Sequence, residues 1–256
     1  MPNSHSFWVK ENDNVVVYDV DKLDKFTTVL TQEQLSKSGF KGAIEELIWN
    51  DNKTKVLVYT NSKTVWRAKT KGDYWYFDLT TGKGKQLGKD LETSSLMFAK
   101  FSSDNENVAY VSKHNIYLEN LNSGKITPLT TDGTDKIING TFDWVYEEEL
   151  AARDGFRWSP DGKSIAFWRI DATATKFHLM INNTDALYPF TVPVEYPKAG
   201  EKPSSVKIGI IDIKSLKTNW LIIPGDPDNN YLVRIKWIDN QSLMAVQLNR
   251  DQNKVS

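Results

Sequence analysis

Trp158-Ser159-Pro160-Asp161-Gly162-Lys163, running into Ile165-Ala166-Phe167-Trp168, sets an aromatic residue, a tight turn and an apolar strand in series. Pro-Asp-Gly between two extended segments is hairpin chemistry: Pro presets one turn angle, Asp bonds back to the backbone, and Gly takes the positive φ. The unit recurs. Trp49-Asn50-Asp51-Asn52 leads to Val56-Leu57-Val58-Tyr59, and Phe101-Ser102-Ser103-Asp104 leads to Val108-Ala109-Tyr110-Val111. A looser copy, Trp237-Ile238-Asp239-Asn240, leads to Leu243-Met244-Ala245-Val246.

A second unit follows each first one: an alternating strand, an Asp or Asn, then a turn. It reads Tyr74-Trp75-Tyr76-Phe77-Asp78 before Thr81-Gly82-Lys83, and Ile116-Tyr117-Leu118-Glu119-Asn120 before Ser123-Gly124-Lys125. Ile208-Gly209-Ile210-Ile211-Asp212 precedes Lys214-Ser215, and Val15-Val16-Val17-Tyr18-Asp19 is an early copy. Two such units make about four short strands, the size of one propeller blade, so the pattern predicts an all-β fold with parts of five blades. An all-β sandwich with ragged loops is the alternative; the four recurrences favour the propeller. The interval between copies widens along the chain, which predicts insertions near residues 64–72 and 181–205.

Composition narrows the function. The chain has 256 residues, 39% hydrophobic, with nine Trp, ten Tyr and eleven Phe, enough for a large aromatic core. Thirty-two basic against thirty-three acidic residues leave a net charge of -1, with no basic field for nucleic acid. There is no cysteine, and no apolar run approaches the roughly 20 residues of a membrane span. Met1-Pro2-Asn3-Ser4 does not read as a signal peptide, and the chain reads as cut from something longer.

Residues 141–153 interrupt the strands. Asp143 is a good N-cap, Glu147, Glu148 and Glu149 lie early, and Ala151, Ala152 and Arg153 favour helix. Gly155 is the expected stop. A bare run of Glu is most simply a solvated acidic turn. Adjacent carboxylates converge on a cation only if the helix faces a cavity.

Asp143-Trp144-Val145-Tyr146-Glu147-Glu148-Glu149 closely resembles the glutamate motif of the dipeptidyl peptidase IV family. Val192-Pro193-Val194-Glu195-Tyr196-Pro197-Lys198-Ala199-Gly200, followed by Val206-Lys207, is similar to a second stretch of that family. Val65-Trp66-Arg67, shortly before Tyr74, is similar to its arginine loop. The matches stand in the family's order and cover essentially the whole chain. The resemblance implies an eight-bladed propeller, of which residues 1–256 are the partial N-terminal portion with a short inserted helix. The last blades and an α/β-hydrolase domain would lie beyond Ser256, leaving open strand edges here. It implies a serine-type peptidase releasing dipeptides from free N-termini after a penultimate Pro or Ala. Glu148 and Glu149 would bind the substrate's α-ammonium and Arg67 a peptide carbonyl, with Glu147, Tyr146 and Trp144 supporting. It calls for no cofactor and no metal, and implies a homodimer when full length.

The lack of cysteine departs from animal members and points to a bacterial relative, in the periplasm or cell envelope. No Gly-x-Ser-x-Gly nucleophile elbow occurs, so no catalytic residue is assigned, and His5, His114 and His178 read as structural or surface residues in strand-like contexts. Two further readings remain: a non-catalytic propeller that docks peptides or proteins, and an unrelated sensor propeller.

Overall fold

A computed structural model describes residues 5–12 and 14–256. Met1-Pro2-Asn3-Ser4, on which the expectation about a leader rests, lies outside the described residues.

The strands follow the repeat units. β1 (Ser6–Glu11), β2 (Asn14–Asp19) and β3 (Lys22–Leu30) form one antiparallel sheet. After helix α1 (Gln32–Ser38) come β4 (Glu46–Trp49), β5 (Lys55–Val65), β6 (Ala68–Asp78) and β7 (Lys83–Gln86), ordered β4-β5-β6-β7. β8 (Met97–Phe101), β9 (Asn107–Ser112), β10 (Asn115–Asn120) and β11 (Ile126–Pro128) repeat that order. β12 (Ile137–Asn139), helix α2 (Trp144–Leu150), β13 (Phe156–Trp158), β14 (Ser164–Asp171), the hairpin β15 (Phe177–Asn182) with β16 (Phe190–Glu195), β17 (Ser205–Asp212) and β18 (Thr218–Trp220) follow. Of these, β12, β13, β14, β17 and β18 share a sheet. β19 (Asn230–Trp237) pairs β20 (Leu243–Asn249). Among the described residues, five blade-like sheets and the separate β15–β16 hairpin carry the chain, and the fold class is all-β, of the β-propeller type.

The turn units close as their residues require. Ser159 donates its backbone N–H to the Ser164 carbonyl at 2.8 Å, its hydroxyl donates to Asp161 at 2.8 Å, and it accepts the Ser164 N–H at 3.0 Å. Asn50 does the same with Lys55, taking its N–H on Oδ1 at 2.9 Å. In the first three copies the polar residue after the aromatic is therefore buried but satisfied: Asn50, Ser102 and Ser159 are all inaccessible. The strands that follow are buried on successive residues, Val56 to Val58, Val108 to Val111 and Ile165 to Trp168, so each is covered on both faces.

Contacts divide the chain into two compact units: residues 1–101 with 105–110 and 119–126, and residues 102–104, 111–118 and 127–256. In the first, Val15, Leu30, Leu35, Phe40, Leu47, Val56, Val58 and Phe77 form a core. In the second, Phe142, Tyr146, Trp168, Ile208, Tyr231 and Leu232 belong to another, which the Trp168 indole ties further by donating to the Leu232 carbonyl at 2.6 Å.

Three expectations need correction, and the insertions gain a definite form. A second helix exists: α1 opens on a capping box in which Thr31 and Gln34 exchange side-chain and backbone bonds. α2 stops earlier than Gly155, at Ala151, which takes the left-handed φ of 50° itself. Gly155 serves close packing instead, since a Cβ there would lie 2.6 Å from the Gly140 carbonyl carbon. His5 and His114 stand in turns, and only His178 lies in a strand. Both predicted insertions are built as hairpins: residues 64–72 extend β5 and β6, and β15–β16 lies within 177–195.

Candidate functional site

α2 is a short helix held at both ends. The Asp143 carboxylate caps it by accepting the Tyr146 N–H at 3.1 Å, and its other oxygen accepts from the Ser204 hydroxyl. Burial pushes this carboxyl above the usual range, against the pull of those two bonds. At the far end Ala152 donates to the Tyr146 carbonyl at 3.0 Å, and Arg234 donates to the Leu150 carbonyl at 3.0 Å.

Each helical residue turns about 100° from the last, so three consecutive Glu cannot share one environment. Tyr146 faces the core: its ring stacks on Phe142 at 5.3 Å, and its hydroxyl accepts the buried Leu232 N–H at 3.1 Å. Glu147 follows it inward and is 5% exposed. Arg153 answers it, Nε lying 3.6 Å from Oε2. Burial raises the Glu147 pKa to about 7; Arg153 opposes that rise, while Asp143 and Glu148 add to it. Glu148 is left half-buried and Glu149 exposed. Two adjacent carboxylates thus stand on the side of α2 away from the core, with a buried third behind them.

Trp144 sits one turn before Glu148 on the same side of the helix. Its ring packs on Tyr196 at 4.8 Å, and Tyr196 packs on His178 at 6.0 Å. With Asp143 bound to Ser204, this brings the stretch around Tyr196 and the glutamate helix into one arrangement. Glu195 is drawn off by Lys136 at 2.6 Å. Ser204 and Arg234 were not legible as site-forming residues, because each reaches α2 only through the fold; Arg153 stood in the sequence beside the helix, but its pairing with Glu147 did not.

Arg67 lies in the other unit. Val65 pairs Ala68, so Trp66 and Arg67 alone make the turn at the tip of β5–β6. Both are exposed, and Trp66 takes a left-handed φ of 54°, unusual for an aromatic residue. Among the described residues no group of three or more His, Cys, Asp or Glu is arranged to hold a metal ion.

Comparison with known proteins finds relatives along the whole chain. The chain is 26% identical to a "Probable dipeptidyl-aminopeptidase B" of Penicillium rubens, over 99% of its own length and 32% of the relative's. It is 30% identical to "Inactive dipeptidyl peptidase 10" of Rattus norvegicus, over 98% of its length and 33% of the relative's. Among solved structures it superimposes on Porphyromonas gingivalis dipeptidyl peptidase 4 with a TM-score of 0.88 at 28% identity, covering 100% of this chain and 36% of that one. The chain spans about a third of the length of each of these relatives. Residues 50–256 match the family described as "Dipeptidyl peptidase IV (DPP IV) N-terminal region". Over that span, and with the glutamate helix and the Tyr196 stretch packed together, the chain belongs to the dipeptidyl peptidase IV N-terminal region family.

Proposed function

We propose that this chain is the substrate-gripping propeller of a serine exopeptidase that releases dipeptides from free N-termini, with Pro or Ala penultimate. Glu148 and Glu149 receive the α-ammonium, and Arg67 holds a peptide carbonyl. The observation that carries this is the facing of α2. Capping and the burial of Tyr146 and Glu147 leave two adjacent carboxylates outward on a helix held at both ends.

The chemistry follows from charge. A peptide α-amino group has a pKa near ~8 and is largely cationic at neutral pH. Two carboxylates offer several acceptor sites for its three N–H donors, in charge-assisted bonds. They also bar a chain that continues upstream, because an uncharged amide does not offset the desolvation of two carboxylates. The pair therefore measures length from the N-terminus.

In the full-length protein, Glu148→Ala and Glu149→Ala should each lower kcat/KM on a dipeptidyl substrate by about a hundredfold, the equivalent of ~3 kcal/mol. Acetylating the substrate's amine should cause a similar loss in the wild type. Near-normal turnover in both variants, with folded spectra, would return α2 to ordinary acidic surface. A second reading, a non-catalytic propeller that binds peptides or proteins, draws on the rat relative, whose name declares it inactive. It predicts that peptides with free N-termini bind but are not cleaved by the full-length protein.

A further inference from the structure

Arg67 rides on an arm whose direction is decided at its root. β5 and β6 are 11 residues each, and the distal part of the hairpin beyond Thr60 is mostly exposed. A side chain at the end of such an arm is placed no better than the arm's exit angle allows. Between Thr60 and Thr64 the pairing slips twice, from Thr60↔Asp73 to Lys63↔Lys71 and then to Thr64↔Lys69. Asn61, at the bend, has a left-handed φ of 51°. Bulges of this kind bend a strand and re-aim what lies beyond them.

Two carboxylates from separate segments hold the two bulged residues. Asp73, 7% exposed, accepts from the Asn61 side-chain amide at 2.8 Å and from the Ser94 N–H at 2.6 Å. The Ser94 hydroxyl donates in turn to the Asn61 carbonyl at 2.8 Å. Glu45 accepts the Ser62 N–H at 2.9 Å and also the Ser62 hydroxyl. Those bonds hold the Glu45 carboxyl below the usual range, so it stays ionised at neutral pH. Gly72 locks the opposite strand: it exchanges backbone bonds with Leu96 at 2.9 Å each way, and a Cβ there would lie 2.5 Å from the Tyr59 ring.

A bulge in an exposed hairpin needs only water to satisfy its freed groups. Here consecutive bulged residues are instead pinned from both flanks by charged acceptors. We infer that Asp73 and Glu45 are positioning residues for Arg67, setting the angle at which the arm leaves its sheet and so the direction in which the guanidinium is presented. The inference rests on the reading of Arg67 as a substrate contact.

Kinetics of the full-length protein on one dipeptidyl substrate test it, using Arg67→Ala, Asp73→Asn, Glu45→Gln and each pairing with Arg67→Ala. Asp73→Asn turns one acceptor oxygen into a donor facing another donor, and Glu45→Gln weakens the clasp on Ser62. Each alone should lower kcat/KM about ten- to a hundredfold, as expected when a positioned group shifts by about an ångström. Combined with Arg67→Ala, neither should lower it further. Losses that add to that of Arg67→Ala, or wild-type kinetics in both variants, would overturn the inference and leave the Arg67 reading standing. An Arg67→Ala variant with normal kinetics would overturn both. Should Asp73→Asn fail to fold, Glu45→Gln, whose partner Ser62 lies outside the core, decides the matter alone.

Discussion

Glu147 is the carboxylate that the core claims, and its charge is costly there. An acid whose folded pKa is raised holds its proton longer in the native state than in the unfolded chain, so the native state is favoured at low pH. With a pKa of about 7 against an ordinary 4.5, its contribution is fully present below about pH 4.5 and lost as pH rises to about 7. Glu147→Gln should therefore flatten the stability of the chain across that window, removing a decline of at most about 3 kcal/mol. Urea titrations of wild type and variant at several pH values measure it; parallel curves would show that Arg153 fully neutralises the burial. Glu148 and Glu149 carry the proposed recognition, so the substitution should leave binding of a free N-terminus largely intact. The motif Glu147-Glu148-Glu149 was legible in the sequence as a resemblance. Which of the three faces inward was not, because a step of about 100° per residue orients a helix only once the core's direction is known.

At the scale of the element, α2 depends on its cap more than on its length. A seven-residue helix is too short to persist by propensity alone. Asp143→Ala should destabilise the chain by about 2–3 kcal/mol, since it removes an N-cap and leaves the buried Ser204 hydroxyl only its long contact with the Thr175 hydroxyl at 3.4 Å. Asp143→Asn keeps an acceptor for the Tyr146 N–H and should cost less, about 1 kcal/mol. Equal melting shifts for the two would mean that the loss comes from removing the carboxylate, which both do, and that the acceptor Asn keeps contributes nothing. The N-cap was legible because capping is a bond across three residues, and the Thr31–Gln34 box of α1 is equally local. The end of α2 was not legible: Ala151 takes a left-handed conformation that glycine usually fills, with its neighbours fixed by the bonds from Ala152 to the Tyr146 carbonyl and from Arg234 to the Leu150 carbonyl.

Across the whole molecule, the proposed reading gives this chain substrate binding and leaves the chemistry to a nucleophile elsewhere. No Gly-x-Ser-x-Gly turn occurs in it, and that strained strand-to-helix turn is what exposes the serine of an α/β-hydrolase. The purified chain should therefore release no dipeptide from a Gly-Pro chromogenic substrate; a rate above background that scales with chain concentration would refute this. The blades themselves were written locally. The Trp158 unit closes through bonds among Ser159, Asp161 and Ser164, no more than five residues apart, so its recurrence alone was enough to read an all-β repeat and its turns. The site is a different matter. Asp143 meets Ser204 across 61 positions, and the Tyr146 hydroxyl meets Leu232 across 86. Hydrogen bonds between near neighbours follow from residue order, whereas burial follows from what the folded chain brings alongside. For that reason the sequence by itself determined the strands, the turns and the acidic helix, while only the tertiary structure decided that Glu147 is buried and Glu148 and Glu149 are left facing outward.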